Sequence, residues 1–193
     1  LKKLNKKGHK IFSAVICSSQ YGPNENEGMK ESEALKSGLK SFSSICATYV
    51  PTEKEPNSKL SYNKKSMQIL EKITREKKID TVFTHWFGDL NTDHKATWDI
   101  SRTAFRNIKN FFMYQSNSYG DNVNIFQPNF YSTFNKKEYS FKEKLLSNYK
   151  IEWERRKCRW SREIFDRERY WGHIAGSEYA EGFQIGKLVD FFV

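Results

Sequence analysis

The stretch Thr84–Arg102 reads THWFGDLNTDHKATWDISR and follows the apolar run Ile79–Phe83, IDTVF. Ile79–His85 has the composition of a buried strand, Trp86–Asn91 that of a polar loop, and Asp93–Asn107 the pattern of a helix. His85 and His94, two of only four histidines in the chain, fall here together with Asp89 and Asp93. Asn91, Thr92 and Asp93 are all competent helix N-caps, so His94 is expected in the first helical turn. The positive end of the helix dipole disfavours a protonated imidazole there, and a neutral imidazole is what a metal ion needs. Asp93 is placed to hold a ligand by hydrogen bonding. His85 and Asp89 lie across the loop, facing the same pocket. The same pattern also suits an ordinary capped helix with His94 on the surface, and D-H alone does not choose.

Working outward, strands and helices alternate over the first two-thirds. Leu1–Lys7 reads as the end of a helix closed by Gly8, His9–Ser19 as a strand, and Met29–Phe42 as a helix. ICATYV (Ile45–Val50) is a short strand, and Tyr62–Lys77 is an amphipathic helix with Met67, Leu70 and Ile73 as its stripe. Asn110–Gln115 is an aromatic strand. Phe126–Thr133 is a further strand, which Pro128 assigns to a sheet edge. Helices over Glu138–Glu152 and Arg159–Tyr170 and a closing strand, FQIGKLVDFF, complete the chain. This order is that of an α/β domain with a mostly parallel sheet, and in such folds the site lies beyond the carboxyl ends of the strands.

The length of 193 residues suits one domain over residues 1–193. Aromatics make up 16 % and are available to fill a core. The net charge of +10 points to an anionic or phosphate-bearing partner, or simply to a lysine-rich surface. Three widely spaced cysteines argue against a disulfide framework and fit a reducing, cytoplasmic setting. No apolar stretch reaches the roughly 20 residues of a membrane helix.

IDTVF-TH followed by GDLNTDH resembles the metal-binding segment of the LmbE-like (PIG-L) N-acetylglucosaminyl deacetylases. GHIAGSEYAEGF (Gly172–Phe183) resembles the family's C-terminal signature, and the two occur in the family's order. KKGHKIFSAVICSS and MKESEA resemble its second strand and the helix start that follows. The resemblance implies a Rossmann-like, three-layer α/β domain with a zinc site, and hydrolysis of the acetyl group from an N-acetylated amino sugar on a lipid, glycoside or nucleotide carrier. It makes His94 a zinc ligand. Asp93, beside it, and His85 are the catalytic candidates. Lys30, Asp89, Asn91 and His173 are the candidates for contact with substrate.

The pattern departs from the family at two places. The motif H-P-D-D, which supplies two further ligands and the base, does not occur. The chain opens on Leu, and the resemblance implies roughly 20 to 30 residues ahead of it, including a first strand. On that reading His94 stands as a single ligand and the zinc site is incomplete. Asn91 occupies the position where many members carry a histidine acid, which leaves that role to His85, to His173 or to a variant use of Asn91. Two other readings remain. One is a non-catalytic member binding a glycan or anion. The other is a basic nucleic-acid binder, suggested by Trp153, Lys157 and Trp160, although rings at that spacing are more often core. The sequence does not indicate an oligomeric state.

Overall fold

The computed structural model describes residues 1–16, 47–49, 60–116, 125–148 and 159–189. The helix expected over residues 29–42, with Lys30, and the side chains of Trp153, Lys157 and Trp160 lie outside the described residues. No described helix is long and apolar enough to cross a membrane.

The chain divides into two compact units, one of Leu1–Asn57 with Ser140–Ser161 and one of Ser58–Tyr139 with Arg162–Val193. In the first, helix α1 (Lys2–Lys6) precedes strand β1 (Phe12–Ala14), which pairs in parallel with β2 (Ala47–Tyr49). Lys2 places its ammonium 3.3 Å from the ring centre of Phe141.

The second unit carries the stretch Thr84–Arg102. Helix α2 (Lys64–Lys77) starts at Asn63, whose side chain accepts from the Ser66 amide at 2.8 Å, and ends at Lys78 in the left-handed conformation, φ 51°. Strand β3 (Thr81–His85) follows, buried at Val82 and Thr84, as alternation requires of a half-covered strand. Helix α3 (Thr92–Ala104) buries Ala96, Ile100 and Ala104, spaced by one helical turn, and returns the chain to β4 (Asn110–Tyr114). That crossover makes β3 and β4 parallel, with His85 opposite Tyr114. Strand β5 (Phe130–Phe134), helix α4 (Lys136–Leu146), helix α5 (Arg159–Ile174) and strand β6 (Tyr179–Lys187) follow.

The sheet order is β3-β4-β6-β5. The α/β class stands as expected. The parallel character holds for β1/β2 and β3/β4, while β6 runs antiparallel to both β4 and β5 and makes the larger sheet mixed. Among the described strands β5 lies at the edge, as expected, although Pro128 stands just ahead of it rather than within it. The closing strand starts at Tyr179, so YAEGF is its first half rather than the loop before it. Aromatic rings fill the core, as their abundance implied. Trp86, Phe111, Phe126 and Trp171 pack with Val82, Ile108, Met113 and Ala180. Phe112 stacks on Phe83 with centroids 5.0 Å apart.

The glycines of GHIAGSEYAEGF have separate physical jobs. Gly176, at φ 66°, makes the left-handed turn after α5. Gly172 lies inside α5 against the start of β6, and a Cβ there would stand 2.6 Å from Tyr179 Cα and 2.7 Å from the Glu178 carbonyl oxygen. Both obstacles are backbone and cannot rotate away. Gly172→Ala is therefore expected to lower stability by about 1–3 kcal/mol, despite alanine's better helix propensity. Denaturant unfolding of the two proteins checks this, and equal midpoints would contradict the close approach.

Candidate metal centre

His85 is the last residue of β3 and lies beside Tyr114, the last residue of β4. The site thus stands at the carboxyl ends of the parallel pair. The chain continues the ladder by one step, the Trp86 amide donating to the Tyr114 carbonyl at 2.9 Å. It then turns tightly, with the Asp89 amide donating to the Trp86 carbonyl at 3.3 Å. Gly88 is required in this turn, since a Cβ would come within 2.4 Å of the Trp86 ring. The turn delivers Asp89 into the interior, where it is 0 % exposed.

Both carboxylate oxygens of Asp89 are used. Oδ1 accepts from the Asn91 amide at 2.9 Å, and Oδ2 lies 2.8 Å from His94 Nδ1. Asn91 is the N-cap of α3, and its Oδ1 accepts from the amides of Asp93 at 2.9 Å and His94 at 3.3 Å. The expected first-turn position of His94 is therefore correct, with Asn91 as the cap. Asp93 is buried, and its Oδ1 accepts the Leu60 amide at 3.2 Å, tying the segment before α2 to the start of α3.

An ionised Asp89 fixes the tautomer of His94. The short contact places the proton on Nδ1, so the lone pair resides on Nε2, the form that binds a metal. Ser116 Oγ lies 3.2 Å from the same Nδ1, within reach to accept from that N–H as well. His85 stacks on His94 with centroids 4.0 Å apart and planes at 11°. Burial, and after it the neighbouring His94, lowers His85 from 6.5 to about 3 against the opposing pull of Asp89. The ring is thus neutral at pH 7 and carries no second proton to give. Its Nδ1 is buried without a hydrogen-bond partner among the described residues. Tyr114 lies 5.0 Å from His85, ring centre to ring centre, and burial together with the Asp89 charge pushes its phenol up to about 12.

His85, Asp89 and His94 offer ligand atoms that all lie within 4.8 Å of one another. Two imidazoles and a carboxylate are a donor set that catalytic zinc uses. The three are not equivalent. His94 presents Nε2 while Asp89 holds its other nitrogen. Near-parallel rings keep their lone pairs in separate planes, so His85 joins the same ion only after turning. Its unpartnered nitrogen is the polar atom that such an ion, or a substrate group, would satisfy. The sequence offers His94 as a candidate ligand, and the structure groups two further possible donors with it.

His173 is exposed, in the last turn of α5 rather than in a loop, and is not among the three grouped donors. Lys30 lies outside the described residues. Glu181 sits in β6 opposite Ser132. Sequence reasoning missed Tyr114, Ser116 and Arg167. The Asn110–Gln115 strand pattern, running parallel to β3, was the available signal for the first two, since parallel neighbours end at the same edge. Nothing in the sequence pointed to Arg167.

No protein-family profile and no curated protein sequence matches the chain. Solved structures do. N,N'-diacetylchitobiose deacetylase from Pyrococcus horikoshii is similar at TM-score 0.77 and 17 % identity over 99 % of this chain and 80 % of that one. The zinc-inhibited form of a teicoplanin deacetylase is similar at 0.73 and 11 % identity, over 95 % and 89 %. The 4-carboxy-2-hydroxymuconate hydratase from Pseudomonas putida is similar at 0.64 and 12 % identity, over 94 % and 85 %. The fold is the one the sequence resemblance implied, and it serves more than one reaction.

The depressed His85 gives a pH dependence with a definite sign. Between pH 6.5 and about 3 the unfolded chain binds a proton at this residue that the folded chain refuses. The stability His85 contributes is complete above 6.5 and is lost as pH falls through that window, by up to about 1.4 kcal/mol per pH unit. With metal removed by chelator, His85→Gln is expected to flatten this part of the stability curve. An unchanged slope in denaturant titrations from pH 7 to pH 4 would contradict the assignment.

Proposed function

We propose that the chain is a metal-dependent N-deacetylase of the LmbE-like family, hydrolysing the acetamide of an N-acetylated amino sugar. The observation that carries this reading is the buried Asp89 on His94 Nδ1, at the carboxyl end of a strand, in a chain with the fold of sugar deacetylases. A buried carboxylate is costly unless it is hydrogen-bonded, and Asp89 is held at both oxygens. Here it orients an imidazole whose free nitrogen suits zinc or another divalent ion.

His94 is the protein ligand this arrangement prepares, and His85 is the second nitrogen beside it. Zinc, when bound, supplies Lewis acidity toward the amide carbonyl and lowers the pKa of a water. His85, neutral by burial, acts through a single N–H or lone pair. It therefore serves the reaction as a hydrogen-bonding or ligating group, not as an imidazolium acid. Asn91 spends its carbonyl on capping α3, which leaves its amide NH2 as the donor toward substrate. Asp93 lies beside the ligand, and its carboxylate is the group we assign to proton transfer. Lys30 and His173 are assigned to the sugar or its carrier. The basic balance favours a phosphate-bearing carrier, and the cysteine pattern favours a cytoplasmic setting. The reaction is assigned to a single domain spanning the chain.

The test is acetate release from N-acetylated chitooligosaccharides by the zinc-loaded chain, measured together with zinc content. His94→Ala is expected to lose zinc and acetate release together. Asp89→Asn is expected to weaken zinc binding by about 10–100-fold. Full zinc occupancy in His94→Ala would overturn the ligand assignment. Stoichiometric zinc with glycan binding but no acetate release would replace the enzyme by a glycan-binding family member.

A further inference from the structure

Arg167, on α5, is a half-buried cation that grips the Gln115–Ser116 segment. Nη1 donates to Gln115 Oε1 at 3.0 Å, and Nη2 donates to the Gln115 carbonyl at 3.0 Å and the Ser116 carbonyl at 3.3 Å. Its guanidinium carbon lies 4.9 Å from the Trp171 ring centre. Burial lowers its pKa, while the carboxylates of Glu168, Asp89 and Glu163 act in the opposite direction. A guanidinium remains charged regardless.

The residues it grips directly follow β4, beyond the last laddered pair, His85 and Tyr114. Among the described residues no sheet partner fixes Ser116, yet its hydroxyl stands 3.2 Å from His94 Nδ1. Two acceptors then flank one N–H, with Asp89 at 2.8 Å and Ser116 at 3.2 Å. One acceptor leaves a ring free to rock about the contact. Two from different elements fix its plane and oppose the inverted tautomer, provided the Ser116 hydroxyl is held as acceptor.

Resting on the proposed metal-binding role of His94, we infer that Arg167 is a positioning residue for the metal centre: by clamping the Gln115 and Ser116 carbonyls it holds the Ser116 hydroxyl on His94 Nδ1 and so fixes the ring whose Nε2 faces the ion. Arg167 acts through Ser116 and touches neither metal nor substrate. The two therefore form one unit, and their effects do not add.

The experiment compares the full chain with Ser116→Ala, Ser116→Thr, Arg167→Met, Arg167→Lys and the double variant Ser116→Ala/Arg167→Met. Zinc affinity is measured by competition with a chromophoric chelator, and the His94 tautomer by imidazole 15N shifts in the zinc-free protein. Ser116→Ala and Arg167→Met are each expected to weaken zinc by about tenfold or more, the range for partners that orient a ligand. The double variant is expected to be no weaker than the weaker single. Ser116→Thr, which keeps the hydroxyl, is expected to restore affinity. In the zinc-free protein the same variants are expected to shift the His94 15N signals away from a pure Nδ1–H form. Wild-type affinity and wild-type 15N shifts in folded Ser116→Ala would overturn the inference, as would fully additive losses. Should Arg167→Met fail to fold, Arg167→Lys decides, with intermediate affinity expected and unchanged affinity against. If the wild-type chain binds no zinc, the proposed function fails, and the 15N shifts alone decide on Arg167.

Discussion

The contact between Asp89 and His94 is the constraint from which the rest of the site follows. A carboxylate with no exposed surface has lost its hydration, and only strong hydrogen bonds offset that cost. Asp89 receives them from the Asn91 amide and the His94 ring. Each of those donors is positioned by another local requirement. Asn91 must cap α3, His94 must stand in the first turn, and the loop must turn over Trp86 with no side chain at Gly88. A change in any one of them moves the acceptor away from its donors.

The parallel pairing of β3 and β4 sets where this happens. Their common end brings His85 and Tyr114 together and sends Ser116 toward His94. The aromatic core beneath, with Trp86 and Trp171 among its members, is rigid in the sense of close-packed matter. His85, His94 and Ser116 are therefore carried at two strand ends and a helix start, which hold position better than a long loop. A hydratase built on the same fold shows that the scaffold does not select the reaction. The selection rests on the donors gathered at these strand ends.

Much of this was legible in the sequence because it is local. The strand-loop-helix over Ile79–Asn107 is encoded by consecutive residues, and the N-cap rule placed His94 to within one position. The edge strand expected from Pro128 is found, but Pro128 stands two residues ahead of β5, so its missing N–H is not what sets the edge. The failures are non-local. YAEGF was read as a signature ahead of a strand, whereas it opens β6. Its strand character comes from pairing with β5 and from Gly172 closing on its backbone. His173 lies beyond the helix expected over Arg159–Tyr170, yet α5 runs on through it to Ile174, with Gly172 tolerated inside for that packing reason. Arg167 was invisible, since its partners lie about fifty positions away and its own segment reads as a generic charged helix. His85 is one of several candidates for the acid's place in the sequence, and its burial and its stacking on His94 are not legible from its residue type.

The most direct measurement of the central claim is an anomalous-difference map from crystals of this chain soaked in zinc. The account predicts a peak at about 2.0–2.1 Å from His94 Nε2, with Asp89 still hydrogen-bonded to Nδ1. A zinc-loaded crystal with no peak at His94, or with the ion on Nδ1 and Asp89 displaced, would contradict it.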